Sequence, residues 1–138
     1  MQVTVRRWTA LAVSASALSG LAYGYARYFG GTVDEWGESM RHPWSGTLQH
    51  AHVLLVPLFV LMLGALWVTH IWPYYCAQQP RRRLSGLSNW ALAVLMVISG
   101  YAVQVAVEDQ LRLAAAWCHG VSSTLWLVTF LWHRYIAR

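Results

Sequence analysis

The chain has 138 residues, of which 57% are hydrophobic and only 11% charged, with a formal net charge of +5. Soluble domains average roughly 25% charged residues, so this composition excludes an ordinary water-soluble globule. The arginines, which supply all the positive charge, are scattered along the chain between apolar runs. A nucleic-acid-binding protein gathers its basic residues on one face, so no nucleic-acid partner is expected.

Four apolar stretches run approximately over residues 8–29, 48–72, 87–107 and 113–132. Each has about 20 residues or more, enough to cross a hydrocarbon core roughly 30 Å thick. The connections are short, and there is no internal repeat, low-complexity tract or long linker. The expected architecture is all-α: an integral membrane four-helix bundle forming one domain, residues 1–138.

The first stretch follows Arg6 and Arg7 and is rich in small residues, a pattern shared with secretory signal peptides. Its end carries Tyr23, Tyr25, Tyr28 and Phe29, an aromatic cluster suited to a membrane interface and to a retained helix. Residues 30–47 form the longest expected non-helical segment and carry Asp34, Glu35, Glu38, Arg41 and His42. The second stretch holds His50, His52 and His70, with Pro57 inside it as an expected kink and Pro73 and Pro80 at its exit. Arg81, Arg82 and Arg83 fill the following turn, and Ser85, Gly86 and Ser88 open the third stretch. Glu108, Asp109 and Arg112 mark the next turn. The fourth stretch carries His119 and His133 and is followed by Arg134 and Arg138. Trp8, Trp44, Trp72, Trp90, Trp117 and Trp132 fall near expected helix ends, as an aromatic belt would.

Charge sets the orientation. With four crossings, Arg6, Arg7, Arg81, Arg82, Arg83, Arg134 and Arg138 share one side. Arg27, Arg41 and Arg112 lie on the other with Asp34, Glu35, Glu38, Glu108 and Asp109. The positive-inside rule then puts both termini in the cytoplasm.

Ionisable residues inside a membrane are costly and point to function. At about 100° per residue, His52 and His70 are separated by about 1800°, five whole turns. His119 and His133 are separated by about 1400°, within about 40° of four turns. Each pair therefore falls on one helix face, at opposite depths, with axial spacings of about 27 Å and about 21 Å. His52 with His119 makes an outer site, and His70 with His133 an inner one. Phe59, Leu63, Leu66, Trp126 and Phe130 lie between them on the same faces, as packing or as neighbours of bound groups. Imidazole is a suitable axial ligand for haem iron. Zinc asks for about four converging protein ligands, which this pattern does not offer. His50 and His52 differ by about 200° and diverge. A covalent C-x-x-C-H attachment is excluded because Ala115 stands where the first cysteine of that motif belongs before Cys118 and His119. The expected cofactors are two non-covalently held haem b groups.

In the His52/His70 helix, the Ser99-Gly100 pair of the third helix and the His119/His133 helix, the chain resembles the four-helix di-haem cytochrome b membrane subunits. These are similar in kind to the subunits of bacterial formate dehydrogenases and nickel–iron hydrogenases. The resemblance implies quinone-linked electron relay across a bacterial inner membrane to a redox partner subunit, a c-type cytochrome or an iron–sulfur protein. The first helix departs from some of these subunits in having no histidine. His42, His50, Glu108 and Asp109 form a candidate quinone or proton site on the outer side, and Arg41 and Arg112 are candidate partners for haem propionates. Other readings stay open at this stage. They are a self-contained quinol- or ascorbate-linked transmembrane reductase, a structural anchor and a small transporter.

Overall fold

A computed structural model describes residues 3–77 and 83–136; Pro80, Arg81, Arg82 and Arg138 lie outside them. The chain is all-α apart from one small hairpin. Helix α1 spans Val3–Tyr28, α2 Ser45–Leu66, α3 Trp72–Cys76, α4 Arg83–Val105 and α5 Asp109–Leu131. A π turn, Trp67–Ile71, joins α2 to α3, and a second, Trp132–Ile136, follows α5. The long helices begin a few residues before the apolar stretches because hydropathy marks the hydrocarbon-facing part of a helix and the first turn lies outside that part.

Three helical stretches, Ser45–Cys76, Ser85–Val105 and Asp109–Arg134, are long and apolar enough to cross a membrane. The expected fourth, α1, forms a helix of 26 residues but is not among them. Its sequence explains the difference. Thr9, Ser14, Ser16 and Ser19, with Gly20, Gly24 and three tyrosines, dilute its apolar character. The apolar side chains of the other helices are largely uncovered; Leu54, Leu61, Ile98, Val105, Val121 and Val128 are all exposed. So much apolar surface fits lipid as the surrounding solvent.

The chain divides into two compact units, Met1–Trp67 and Val68–Arg138. In the first, α1 packs against α2; in the second, α4 packs against α5. Both interfaces are built from small residues. Ala12, Val13 and Ala26 are buried in the first unit, and Ala93, Ala106 and Ala115 in the second. Small side chains let helix backbones approach closely, which replaces the hydrophobic drive that lipid removes. Two of the buried hydroxyls bond back within their own helices: Thr9 Oγ1 donates to Val5 O at 2.8 Å and Ser99 Oγ to Leu95 O at 2.8 Å. The larger buried side chains are Phe59, 4% exposed, and Trp126, 7% exposed, whose ring stacks on Phe130 at 5.0 Å.

Register in the second unit is fixed by a polar clamp. Thr129 Oγ1 of α5 donates to Asn89 Oδ1 of α4 at 3.0 Å, and Asn89 Nδ2 donates to Ser85 O at 2.9 Å.

The segment between α1 and α2 is more ordered than its composition indicates. Thr32–Val33 (β1) pairs antiparallel with Ser39–Met40 (β2). Asp34 Oδ1 accepts from the amides of Trp36 at 2.9 Å and Glu38 at 2.7 Å, and Gly37 takes φ +81, a left-handed angle glycine accepts without a Cβ penalty. Trp36 stands at the tip, 88% exposed.

Candidate functional site

His52 lies in the second turn of α2, half-buried against α1. Its Nδ1 is 3.0 Å from Ser19 Oγ, and Ser19 Oγ is 3.1 Å from the carbonyl of Ser16. A serine has one proton to give. Given to the Ser16 carbonyl, it leaves the hydroxyl able only to accept from His52, an arrangement that puts the ring proton on Nδ1; given to His52 instead, it leaves that proton on Nε2. The ring lies over Gly20, where an added Cβ would meet His52 Cε1 at 3.0 Å.

His119 is seated in the same manner in the second unit. Its Nδ1 is 2.8 Å from the carbonyl of Met96, which can only accept, so this ring carries its proton on Nδ1. It lies over Gly100, where an added Cβ would meet Cε1 and Nδ1 at 3.0 Å. The correspondence is residue for residue. A Ser-Gly pair, Ser19-Gly20 or Ser99-Gly100, sits beneath the ring, and the carbonyl four positions before the glycine, Ser16 or Met96, receives the proton. His119 reaches that carbonyl directly, whereas His52 reaches it through the Ser19 hydroxyl. In the Nδ1–H tautomer the ring's lone pair is on Nε2, the nitrogen that serves as an axial ligand.

His70 and His133 have a different setting in common: each lies in a π turn. Such turns are rare and recur at functional sites. Pro73 gives a cause for the first. It has no N–H for the carbonyl of Thr69 and its ring crowds that carbonyl, so the preceding turn opens. A turn closed by i→i+5 bonds winds through less than about 100° per residue. His70 therefore falls short of the face given by five uniform α turns from His52, a correction to the spacing argument for that pair. His133 enters its π turn only at the second residue, so its relation to His119 is nearly that of a plain α-helix. His133 Nδ1 and Ser85 Oγ are hydrogen-bonded at 3.0 Å, one turn from the Asn89–Thr129 clamp. His70 and His133 lie close enough to act on each other electrostatically, and the His70 ring also meets Tyr74 at 4.9 Å.

The outer polar candidates do not share these settings. His42 Nδ1 accepts from the Trp44 amide at 3.2 Å, and its ring packs against Gly30. His50, Arg41 and Glu108 are exposed. Glu108 precedes α5 without making a side-chain cap. Asp109 is paired with Arg112 at 3.2 Å on the surface. Arg112 also donates to the carbonyl of Ala106 at 2.8 Å and of Val107 at 3.4 Å, closing the end of α4.

Among the described residues no three His, Cys, Asp or Glu side chains converge as a metal-binding group. A haem asks the protein for only two axial ligands, and imidazoles with Nδ1 already held supply that donor type. The space a Cβ would take at each glycine is filled by the histidine ring itself, which seats the ring directly on the neighbouring backbone. Ser16 and Ser123, one turn from Gly20 and from His119, have buried hydroxyl oxygens with no hydrogen-bond partner within the protein.

Sequence reasoning singled out the four histidines and the Ser99-Gly100 pair; it missed Ser19, Gly20 and the bonding role of Ser85. The dipeptide Ser-Gly occurs at 19–20, 45–46, 85–86 and 99–100, and three of these four pairs supply a residue that meets one of the histidines. No protein family, no curated protein and no solved structure matches the chain.

Proposed function

We propose that this protein is a membrane-embedded di-haem b-type cytochrome that relays electrons across the bilayer between a quinone/quinol pool and a redox partner subunit. The observation that carries the reading is the matched seating of the histidines. His52 and His119, from different units, have the same Ser-Gly bed and each has its Nδ1 in a hydrogen bond. His70 and His133 share the other distinctive setting, a π turn. In this reading His52 and His119 are the outer ligands and His70 and His133 the inner ones. Each haem would supply a one-electron carrier. The chain's part is to hold Nε2 of each histidine at a fixed azimuth, to keep water from the carrier with apolar helices, and to set ligand basicity through Nδ1.

In this reading α1 completes the fourth crossing. It spans about 39 Å at 1.5 Å per residue and packs along α2, itself an apolar span. Both termini then lie on the arginine-rich side, which is the cytoplasmic side of a bacterial inner membrane. His42, His50 and Glu108 are the groups available for proton exchange with a quinol on the outer side; the Asp109–Arg112 pair is engaged at the α4–α5 turn. The partner is a c-type cytochrome or an iron–sulfur protein, because the described residues offer no soluble catalytic domain.

The deciding experiment is a pyridine haemochrome assay on purified protein, scaled to protein concentration. Two b haems per chain are expected. No haem refutes the reading and leaves a membrane anchor or transporter; one haem removes either the outer or the inner site.

A further inference from the structure

We infer that Ser19 is the positioning residue for His52. Its hydroxyl passes the imidazole's Nδ1 proton interaction on to the Ser16 carbonyl and so fixes which ring nitrogen is offered as ligand. The geometry behind this is the two-step path, His52 Nδ1 to Ser19 Oγ at 3.0 Å and Ser19 Oγ to Ser16 O at 3.1 Å. Its counterpart in the second unit runs in one step, from His119 Nδ1 to Met96 O at 2.8 Å. Ser99 occupies the place of Ser19 there, but its hydroxyl turns back to the carbonyls of Leu95 at 2.8 Å and Met96 at 3.0 Å. The two units thus share a bed and differ in one link, and that link is a side chain.

The difference has chemical consequences. A carbonyl holding Nδ1–H draws the imidazole toward imidazolate character and makes Nε2 a stronger donor. The Met96 carbonyl does this for His119 whatever side chain stands at position 96. For His52 the same effect depends on the Ser19 hydroxyl, which is itself polarised by giving its proton to the Ser16 carbonyl. Ser19 is therefore the one substitution in the seat that changes ligand basicity without removing a ligand or disturbing the glycine bed.

The inference rests on the di-haem reading only for what Nε2 meets; the tautomer belongs to the protein alone. The test accordingly has two arms. In the first, the full chain is prepared from haem-limited cells with ¹⁵N-labelled histidine in detergent micelles. The His52 ring nitrogens are assigned by their disappearance in His52→Gln. Wild type is expected to show the Nδ1–H form. Ser19→Ala is expected to lose most of it, and Ser19→Thr, which keeps the hydroxyl, to restore it; His119 should be unchanged in all three. In the second arm, with haem bound, Ser19→Ala is expected to raise the reduction potential of one haem and leave the other where it was, with Ser19→Thr close to wild type. An Nε2–H form of His52 in wild type, or unchanged His52 signals in Ser19→Ala, overturns the inference. If wild type binds no haem, the functional proposal fails while the first arm still decides the role of Ser19. Circular dichroism on each variant shows that the helices are intact.

Discussion

Replacing Gly100 by alanine puts a methyl carbon 3.0 Å from both Cε1 and Nδ1 of His119, where ordinary contact begins at 3.4 Å. The ring must withdraw by a few tenths of an ångström. It is not at liberty to do so, because Nδ1 is held by the Met96 carbonyl at 2.8 Å on the same helix as the new methyl. Two costs follow: overpacking of about 1–3 kcal/mol, and weakening of a hydrogen bond that contributes about 1 kcal/mol. Alanine returns about 0.5–1 kcal/mol as the better helix former. The net expectation is destabilisation by about 1–3 kcal/mol for Gly100→Ala, and by a similar amount for Gly20→Ala, which meets His52 at 3.0 Å. Gly64, Gly120 and Gly24 provide the control, since a Cβ there meets nothing within 4 Å. Alanine at those positions is expected to be neutral or stabilising by up to about 1 kcal/mol. Thermal unfolding in detergent, followed by circular dichroism with the Soret band recorded in parallel, ranks the five variants. If Gly100→Ala unfolds with the control set and keeps its haem spectrum, the seat described for His119 is wrong.

Four other outcomes are expected. Alanine at His52 or His119 removes the outer haem and at His70 or His133 the inner one, whereas His42→Ala and His50→Ala keep both; haem quantitation per chain checks this, and an indispensable His50 would refute the outer pairing. Thr129→Val takes the donor from Asn89 Oδ1, now held at 3.0 Å, and lowers stability by about 1 kcal/mol on melting; an unchanged melting curve would show that the clamp does not set the α4–α5 register. A reporter active only after export, fused behind Arg138, stays inactive if both termini are cytoplasmic, and activity there reverses the inner and outer assignments. Glu108→Gln and His42→Ala, tested separately in membranes, each slow haem reduction by a quinol analogue; full rates in both, with loss on altering the inner face, move the quinone to the inner side.

The apolar runs made the helices legible, because lipid asks for about 20 apolar residues whatever the details of packing. By the same measure α1 falls short, because its serines and glycines, among them Ser19 and Gly20 in contact with His52 of α2, lower its apolar content. The histidines stood out because a titratable group in a hydrocarbon-length segment is conspicuous. Their seats did not, because the partners are a hydroxyl, two carbonyls and the missing side chains of two glycines. None of these shows in hydropathy, and each needs the neighbouring helix to be in place. The π turn at His70 was hidden for a related reason. Pro73 is visible in the sequence as a helix exit, but its effect is felt one turn earlier, at the carbonyl it fails to satisfy. The hairpin between α1 and α2 was read as loop because its strands are only two residues each and its order comes from the Asp34 carboxylate bonding backbone amides.

The first π turn also bears on how this helix can change over time. One surplus residue wound into an otherwise α-helical rod is equivalent to a tolerated insertion, and its removal would restore α winding without shortening the rod by more than about 1.5 Å. Because the wider turn absorbs the surplus residue, everything beyond it would keep nearly the same heading after that removal, and His52, upstream, would keep its orientation against α1. The helix Ser45–Cys76 thus has one place where a residue is gained or lost while its two ends keep their headings.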